Sequence, residues 1–222
     1  MMQRQPEPEL MDEAEQALAY ARADFEEPHE KFVSLICECF PAQTFNGCVL
    51  DLGCGPADIT LRFARRFPQA RIDAVDGAEA MLALGRDAVA QSQHADRIQL
   101  WRKYLPDDIM PRSHYDAIIS NSLLHHLHQP LDLWHCVRDY AAIGTVVFVM
   151  DLLRPPSMTA AQQLVAQYAA DEPEVLQRDF YHSLLAAYTV QEVQQQLRQV
   201  GLSGLQVQCV SDRHLTVSGV IE

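Results

Sequence analysis

Apolar positions recur along this chain with two distinct periods. Short apolar or alternating runs at 48–52, 71–75, 98–101, 116–120 and 145–150, bounded by turn residues, predict five β-strands. Between them the spacing is helical. Residues 58–67 and 78–90 each bury one face, the second through Met81, Leu84 and Ala88. Pro130 opens a helix that buries Leu131, Trp134 and Val137. Two further helices precede the first strand. One runs from Leu10 through Ala21, the other over 30–40, where Phe32, Leu35, Ile36, Cys39 and Phe40 share a face and Pro41 ends the pattern. Residues 155–188 carry two more helical patterns. Thr189 and Glu192 then form a capping box that opens a last helix, and 205–210 and 215–220 are joined so closely that they must pair antiparallel.

The order is thus β-α repeated five times, a helical insertion, a last helix and a terminal hairpin. Right-handed crossovers make this an α/β fold: a doubly wound, seven-stranded, mostly parallel sheet with a C-terminal antiparallel hairpin. A single domain over 1–222 is expected, with 1–41 a helical N-terminal cap and 155–188 an inserted cap. The polar, proline-bearing residues 1–9 read as disordered.

Composition narrows the functions. The chain has 222 residues, 48% of them hydrophobic, and a formal net charge of -13. That charge argues against nucleic acid or an anionic membrane as partner. Arg62, Arg65 and Arg66, the densest basic cluster, read as a solvated helix face. Six cysteines match no zinc spacing and read as small buried hydrophobes in a reducing, cytoplasmic setting. No apolar stretch is long enough to span a membrane.

Chemistry concentrates at the strand ends. Gly53 and Gly55 follow the first strand, Asp76 and Gly77 end the second, Tyr104 lies beyond the third, Asn121 beyond the fourth, and Asp151 and Arg154 beyond the fifth. Open α/β sheets bind ligands there. The dinucleotide fingerprint needs a third glycine where this chain has Asp58, so a nicotinamide-dependent oxidoreductase is disfavoured. Asp51, two residues before the first glycine, would repel a pyrophosphate and attract a cationic ligand; local capping of the turn is an equal reading. Asp76 lies about 20 residues beyond the glycine turn, where a ribose hydroxyl acceptor is needed; a solvated turn acid is the alternative.

Residues 49–56 followed by Asp76 resemble the first two motifs of the class I S-adenosylmethionine-dependent methyltransferases. The segment 121–127, Asn-Ser-Leu-Leu-His-His-Leu, resembles the small-molecule branch that includes ubiquinone and menaquinone enzymes. The resemblance covers roughly residues 45–220. It implies S-adenosylmethionine as cofactor and a small-molecule methyl acceptor. By it, Gly53 and Gly55 would lie against the methionine part, Asp51 near its charged end, and Asp76 at the ribose. Met81 would line the adenine and Tyr20 would fold over the cofactor. The usual acid after the third strand is missing; Tyr104, a backbone group or Asp107 takes its place.

The resemblance also puts the substrate cap in the insertion, with Tyr168, Phe180, Tyr181 and Tyr188, although aromatics at helical spacing also build cores. Arg154 either meets a substrate carboxylate or pairs with an acid. His125 and His126 are candidates for a general base, or they are structural. His128 completes three histidines in four residues, but one cluster without a partner motif predicts no metal. A non-catalytic S-adenosylmethionine-binding regulator is the other functional alternative.

Overall fold

The strand runs become one seven-stranded sheet in a computed structural model that describes residues 2–8, 10, 12–23 and 25–222. Its strands are β1 (Cys48–Leu52), β2 (Arg71–Asp76), β3 (Ile98–Arg102), β4 (Tyr115–Asn121), β5 (Ala141–Leu152), β6 (Gln206–Cys209) and β7 (His214–Val220). They lie in the order β3-β2-β1-β4-β5-β7-β6. The first five pair parallel with one another, while β7 runs antiparallel to both β5 and β6. The expected doubly wound sheet with a terminal hairpin is borne out.

The period of two sorts each strand between two cores. Val49 of β1 and Val146, Phe148 and Met150 of β5 face one side. There they meet α2 (Glu26–Cys39) through Phe32 and Ile36, α3 (Asp58–Arg66) through Phe63 and α4 (Glu79–Ala90) through Leu82. Leu50, Leu52, Val147 and Val149 face the other side. That core is closed by Trp134 and Val137 of α5 (Leu131–Tyr140) and by Val193 and Leu197 of α8 (Val190–Gln199). The capping box at Thr189 and Glu192 is formed.

The remaining helices are α1 (Ala14–Arg22), α6 (Met158–Tyr168) and α7 (Glu174–Ala186). Here the chain departs from the sequence pattern. α1 begins at Ala14, not at Leu10, and α2 begins four residues earlier than its apolar spacing indicates. Its extra turn is acidic and holds Pro28, which a first helical turn tolerates. No helix lies between β3 and β4 among the described residues, so the β-α repeat is broken once. Cys39 and Cys209 are exposed, so not all six cysteines are buried. Arg62 is no solvated residue either: it bonds Asp58 and Glu30.

The largest departure is at the start. The sequence reading of disorder over 1–9 fails for residues 2–8; Met1 and Glu9 lie outside the described residues. Gln5 donates its backbone N–H to the Leu185 carbonyl at 3.0 Å. The Arg4 guanidinium donates to the carbonyls of Ala186, His125 and Leu127 and lies 4.2 Å from the Tyr188 ring centre. Low intrinsic propensity is here outweighed by tertiary hydrogen bonds to backbone. The segment forms a strap across the segment 125–128 and the end of α7.

Candidate active site

The turn after β1 is held in the left-handed region at three of five residues: Gly53 (φ 73°), Gly55 (φ 51°) and Ala57 (φ 66°). The amides of Gly53 and Cys54 donate to the Val75 carbonyl at 2.9 and 3.0 Å, which ties the turn to β2. The two glycines serve different needs. A Cβ on Gly53 would stand 2.9 Å from Leu123, so this glycine permits close packing. A Cβ on Gly55 would meet nothing within 4 Å, so Gly55 faces open space.

That space is a cleft of about 740 Å³ beyond the carboxyl ends of the parallel strands. Asp51, Gly53, Gly55, Asp76, Gly77 and Met81 all line it. So do Tyr20 from α1, Tyr104 and Asn121 from the strand ends, and His125 and His126. Asp107 is exposed and lies off the cleft wall, so of the two side chains considered for the missing acid only Tyr104 is there. Tyr104 packs against Gly77, where a Cβ would come within 3.1 Å of its ring.

Both readings of Asp51 and Asp76 are partly realised. Asp51 is buried and accepts a hydrogen bond from the Thr60 hydroxyl at 2.6 Å. Burial, only partly offset by Thr60, pushes its pKa up to about 7. Among the described residues no cation offsets its charge. Asp76 clamps the turn, accepting from Gly55 N at 2.9 Å and Ala78 N at 2.8 Å. Its pKa is also raised, by burial, against the pull of these two N–H donors. Each oxygen keeps a lone pair for a further donor. Burial pushes the Tyr20 hydroxyl up to about 12, so it remains a donor; its ring lies 4.7 Å from Phe25.

On the far wall, His125 is buried and bonds Asp151 through Nδ1 at 2.6 Å. Burial opposes its charge, but Asp151 and then Glu7 outweigh that and raise its pKa. His126 beside it is pushed down to about 3 by burial and by His125, so it is a poor base at neutral pH.

Three residues expected at the substrate side are not on the cleft: Tyr188 is buried in the core, its hydroxyl donating to the Leu127 carbonyl at 3.1 Å, and Arg154 and Tyr181 are also elsewhere. Arg154 is buried beneath the cleft, donating to Glu192 at 2.6 Å and to the Ala187 carbonyl at 3.2 Å. Its charge is used inside the fold because Glu192 of the capping box is within reach. Tyr181 packs in a small cluster with Leu164 and Leu184, and the helix turns Phe180 into the cleft instead. Tyr168 does line the cleft, with the Arg213 guanidinium 3.3 Å from its ring centre.

Sequence reasoning missed several wall residues. His29 meets Asp58 at 2.6 Å, and Asp58 also accepts from Arg62 at 2.7 Å. Burial raises the Asp58 pKa, and these two donors more than reverse it. The signal was available: Asp58 had been noted only as a missing glycine. Glu7, Arg213 and His214 carried no local pattern that could single them out.

A family profile described as a methyltransferase domain matches residues 49–143, the stretch that holds the glycine turn, Asp76 and the two histidines. The seven-stranded fold is that of the class I methyltransferases. Curated relatives include trans-aconitate 2-methyltransferases. That of Mycobacterium ulcerans is 34% identical over 85 residues, 38% of this chain and 29% of the relative. That of Variovorax paradoxus is 39% identical over 77 residues, 34% of this chain and 27% of the relative. The matching stretch thus spans less than a third of these relatives' length. A solved S-adenosylmethionine-dependent methyltransferase from Aquifex aeolicus superposes with TM-score 0.67 at 15% identity, covering 95% of this chain and 99% of that one. The plantazolicin methyltransferase BpumL, solved with a substrate analogue and SAH, gives TM-score 0.69 at 13% identity, covering 93% and 91%. At these identities the likeness is one of fold. The narrower resemblance to ubiquinone and menaquinone enzymes is not confirmed by these matches. No helix of the described residues is long and apolar enough to cross a membrane.

Proposed function

We propose that this methyltransferase domain is catalytic and transfers a methyl group from S-adenosylmethionine to a small-molecule acceptor. The open face of Gly55, set between the buried carboxylate of Asp51 and the half-buried one of Asp76, carries the reading. A cradle of bare backbone with an acid lacking a cation suits a nucleoside ligand that bears positive charge. It does not suit a pyrophosphate, because Asp58 adds a further carboxylate in the first turn of α3.

When bound, S-adenosylmethionine supplies a methyl group on a sulfonium that a nucleophile can displace in line. The chain's residues bind and align. Gly53 and Gly55 bring backbone against the methionine part, and Asp51 stands near its charged end. Asp76, with Gly77, accepts the ribose hydroxyls. Met81 and Tyr104 flank the base, Asn121 offers its amide from the end of β4, and Tyr20 covers the pocket from α1. His125 is the better proton acceptor of the two histidines, since Asp151 orients its ring. The N-terminal helices and α6–α7 form the cap on the acceptor side, presenting Tyr168 and Phe180. Arg154 and Tyr181 are dropped as substrate contacts. A small acceptor, a cytoplasmic setting and no nucleic-acid partner are supported by the enclosed cleft, six unpaired cysteines and a net charge of -13.

Calorimetry against S-adenosylmethionine and NADH tests the cofactor, with binding expected for the first alone. Turnover of methyl-labelled cofactor in a metabolite screen, begun with trans-aconitate because of the relatives' name, tests transfer. Binding without turnover of any acceptor would leave a non-catalytic regulator.

A further inference from the structure

We infer that Glu7, His125 and His126 form a three-ligand site for a divalent transition-metal ion on the acceptor wall of the cleft. Among the described residues these are the one set of three side chains whose ligand atoms all lie within 4.8 Å of one another. The Glu7 Oε1 atom is 3.3 Å from His126 Nδ1 and 3.5 Å from His125 Nε2. Metal bonds of about 2.0–2.2 Å at a tetrahedral angle separate neighbouring ligands by ~3.4 Å, so two of the three edges already have the right length.

The lone pairs point the same way. His125 bonds Asp151 through Nδ1, which leaves Nε2 bare toward Glu7. His126 has a hydrogen bond with the Pro8 backbone, while its buried Nδ1 has no hydrogen-bond partner. The Pro8 carbonyl can only accept, so Nε2 carries the hydrogen and Nδ1 presents a lone pair. Two imidazole lone pairs and a carboxylate oxygen therefore converge. A shared proton satisfies one ring and leaves the other facing a carboxylate; a cation satisfies both.

Each ligand also has the support that metal ligands need. Asp151 holds His125 and Pro8 holds His126. The Ser183 hydroxyl donates to the Glu7 carboxylate at 3.0 Å to Oε1 and 3.2 Å to Oε2. Two imidazoles with one carboxylate favour zinc, iron, cobalt or manganese over the oxygen-seeking magnesium and calcium. The prediction of no metal rested on the want of a partner for the histidines, and the N-terminal strap supplies one 118 residues away in sequence. Both histidines line the cleft, and Ser183, which supports Glu7, lines it too, so the site lies at the cleft wall. An anionic oxygen of the acceptor would bind there; this last point rests on the methyl-transfer reading, and it would replace His125 as the proton acceptor.

The test uses the untagged 222-residue chain stripped with a chelator. Zn²⁺ is titrated against a chromophoric competitor, and Co²⁺ is added in parallel to read visible d–d absorption. One equivalent should bind tightly, with the intense visible bands of a low-symmetry site. Glu7→Gln should weaken Zn²⁺ binding by roughly 100-fold, Ser183→Ala by about 10-fold, and His114→Ala, on an exposed loop, not at all. Absence of stoichiometric Zn²⁺ and Co²⁺ binding, or binding that survives Glu7→Gln and Ser183→Ala unchanged, overturns the site. Thermal melting checks that each variant is folded. S-adenosylmethionine calorimetry on the same stripped protein reads the cofactor pocket separately, so failure of one reading leaves the other standing.

Discussion

The two walls of the cleft are built in opposite ways. The cofactor wall comes from residues 51–81, a strand, a turn, a helix and a strand end that follow one another in the chain. The wall proposed for the acceptor gathers His29, His125, Tyr168, Phe180 and Arg213, with Glu7 beside His125, from segments far apart in the chain. A wall made of consecutive elements is specified by local rules, the turn above all. A wall made of distant elements exists only when the whole sheet is in place, and its residues can vary without disturbing the turn.

Substitutions in the turn should produce the largest effects and separate its two glycines. Gly53→Val places a branched side chain at φ 73° and 2.9 Å from Leu123, and should cost about 3 kcal/mol or more of stability. Gly55→Val carries the strain of φ 51° but meets no neighbour within 4 Å, so it should lose less stability than Gly53→Val while cofactor affinity falls by roughly 100-fold. Equal melting temperatures for the two variants would erase the distinction.

Next comes the charge under the cofactor. With its pKa at about 7, Asp51 is protonated in the free protein on the acid side of neutrality. A bound cation favours ionisation, so binding at pH 6 should release close to one proton, read by calorimetry in two buffers of different ionisation enthalpy. Affinity should weaken by up to about 10-fold per pH unit below 7. The sign for stability is the reverse: the unfolded carboxyl ionises near its ordinary pKa of 3.8 and the folded one at about 7. The free protein should therefore lose stability as pH rises through that window and level off above it. No proton release at pH 6 would remove Asp51 from the cationic end.

Phe180→Ala examines the other wall. Cofactor affinity should stay within about twofold, while KM for whichever acceptor the labelling screen identifies rises roughly 10-fold. Arg154→Gln should leave both constants alone and lower the melting temperature, since it removes about 1.5–3 kcal/mol of charge-assisted hydrogen bonding to Glu192. The smallest change is expected from Tyr181→Phe, within about 0.5 kcal/mol in stability and silent in turnover. An acceptor KM that moved with Arg154 or Tyr181 would show the cap to be arranged differently.

How much could be read from the sequence follows the same division. The five parallel strands, the terminal hairpin and the glycine turn are local patterns, and the structure has them within a few residues. Asp51 and Asp76 were found because each sits at a fixed distance from the glycines. Arg154 misled because its place after β5 is local information, whereas its partner Glu192 is 38 residues further on. Tyr181 misled by one residue, which on a helix is a turn of about 100°. Glu7 was not found at all, because nothing in a polar, proline-bearing terminus announces that its carboxylate will meet two histidines.

The strap has a consequence for how the protein is made. Gln5 and Arg4 bond to backbone at 185 and 186, so these residues leave the ribosome long before their seat at the end of α7 has been made. That side of the cleft is therefore completed late in synthesis, by a segment made long before the helix that seats it. Closing a loop of this length is entropically costly and is held by few bonds, so the strap should also be the part that leaves first.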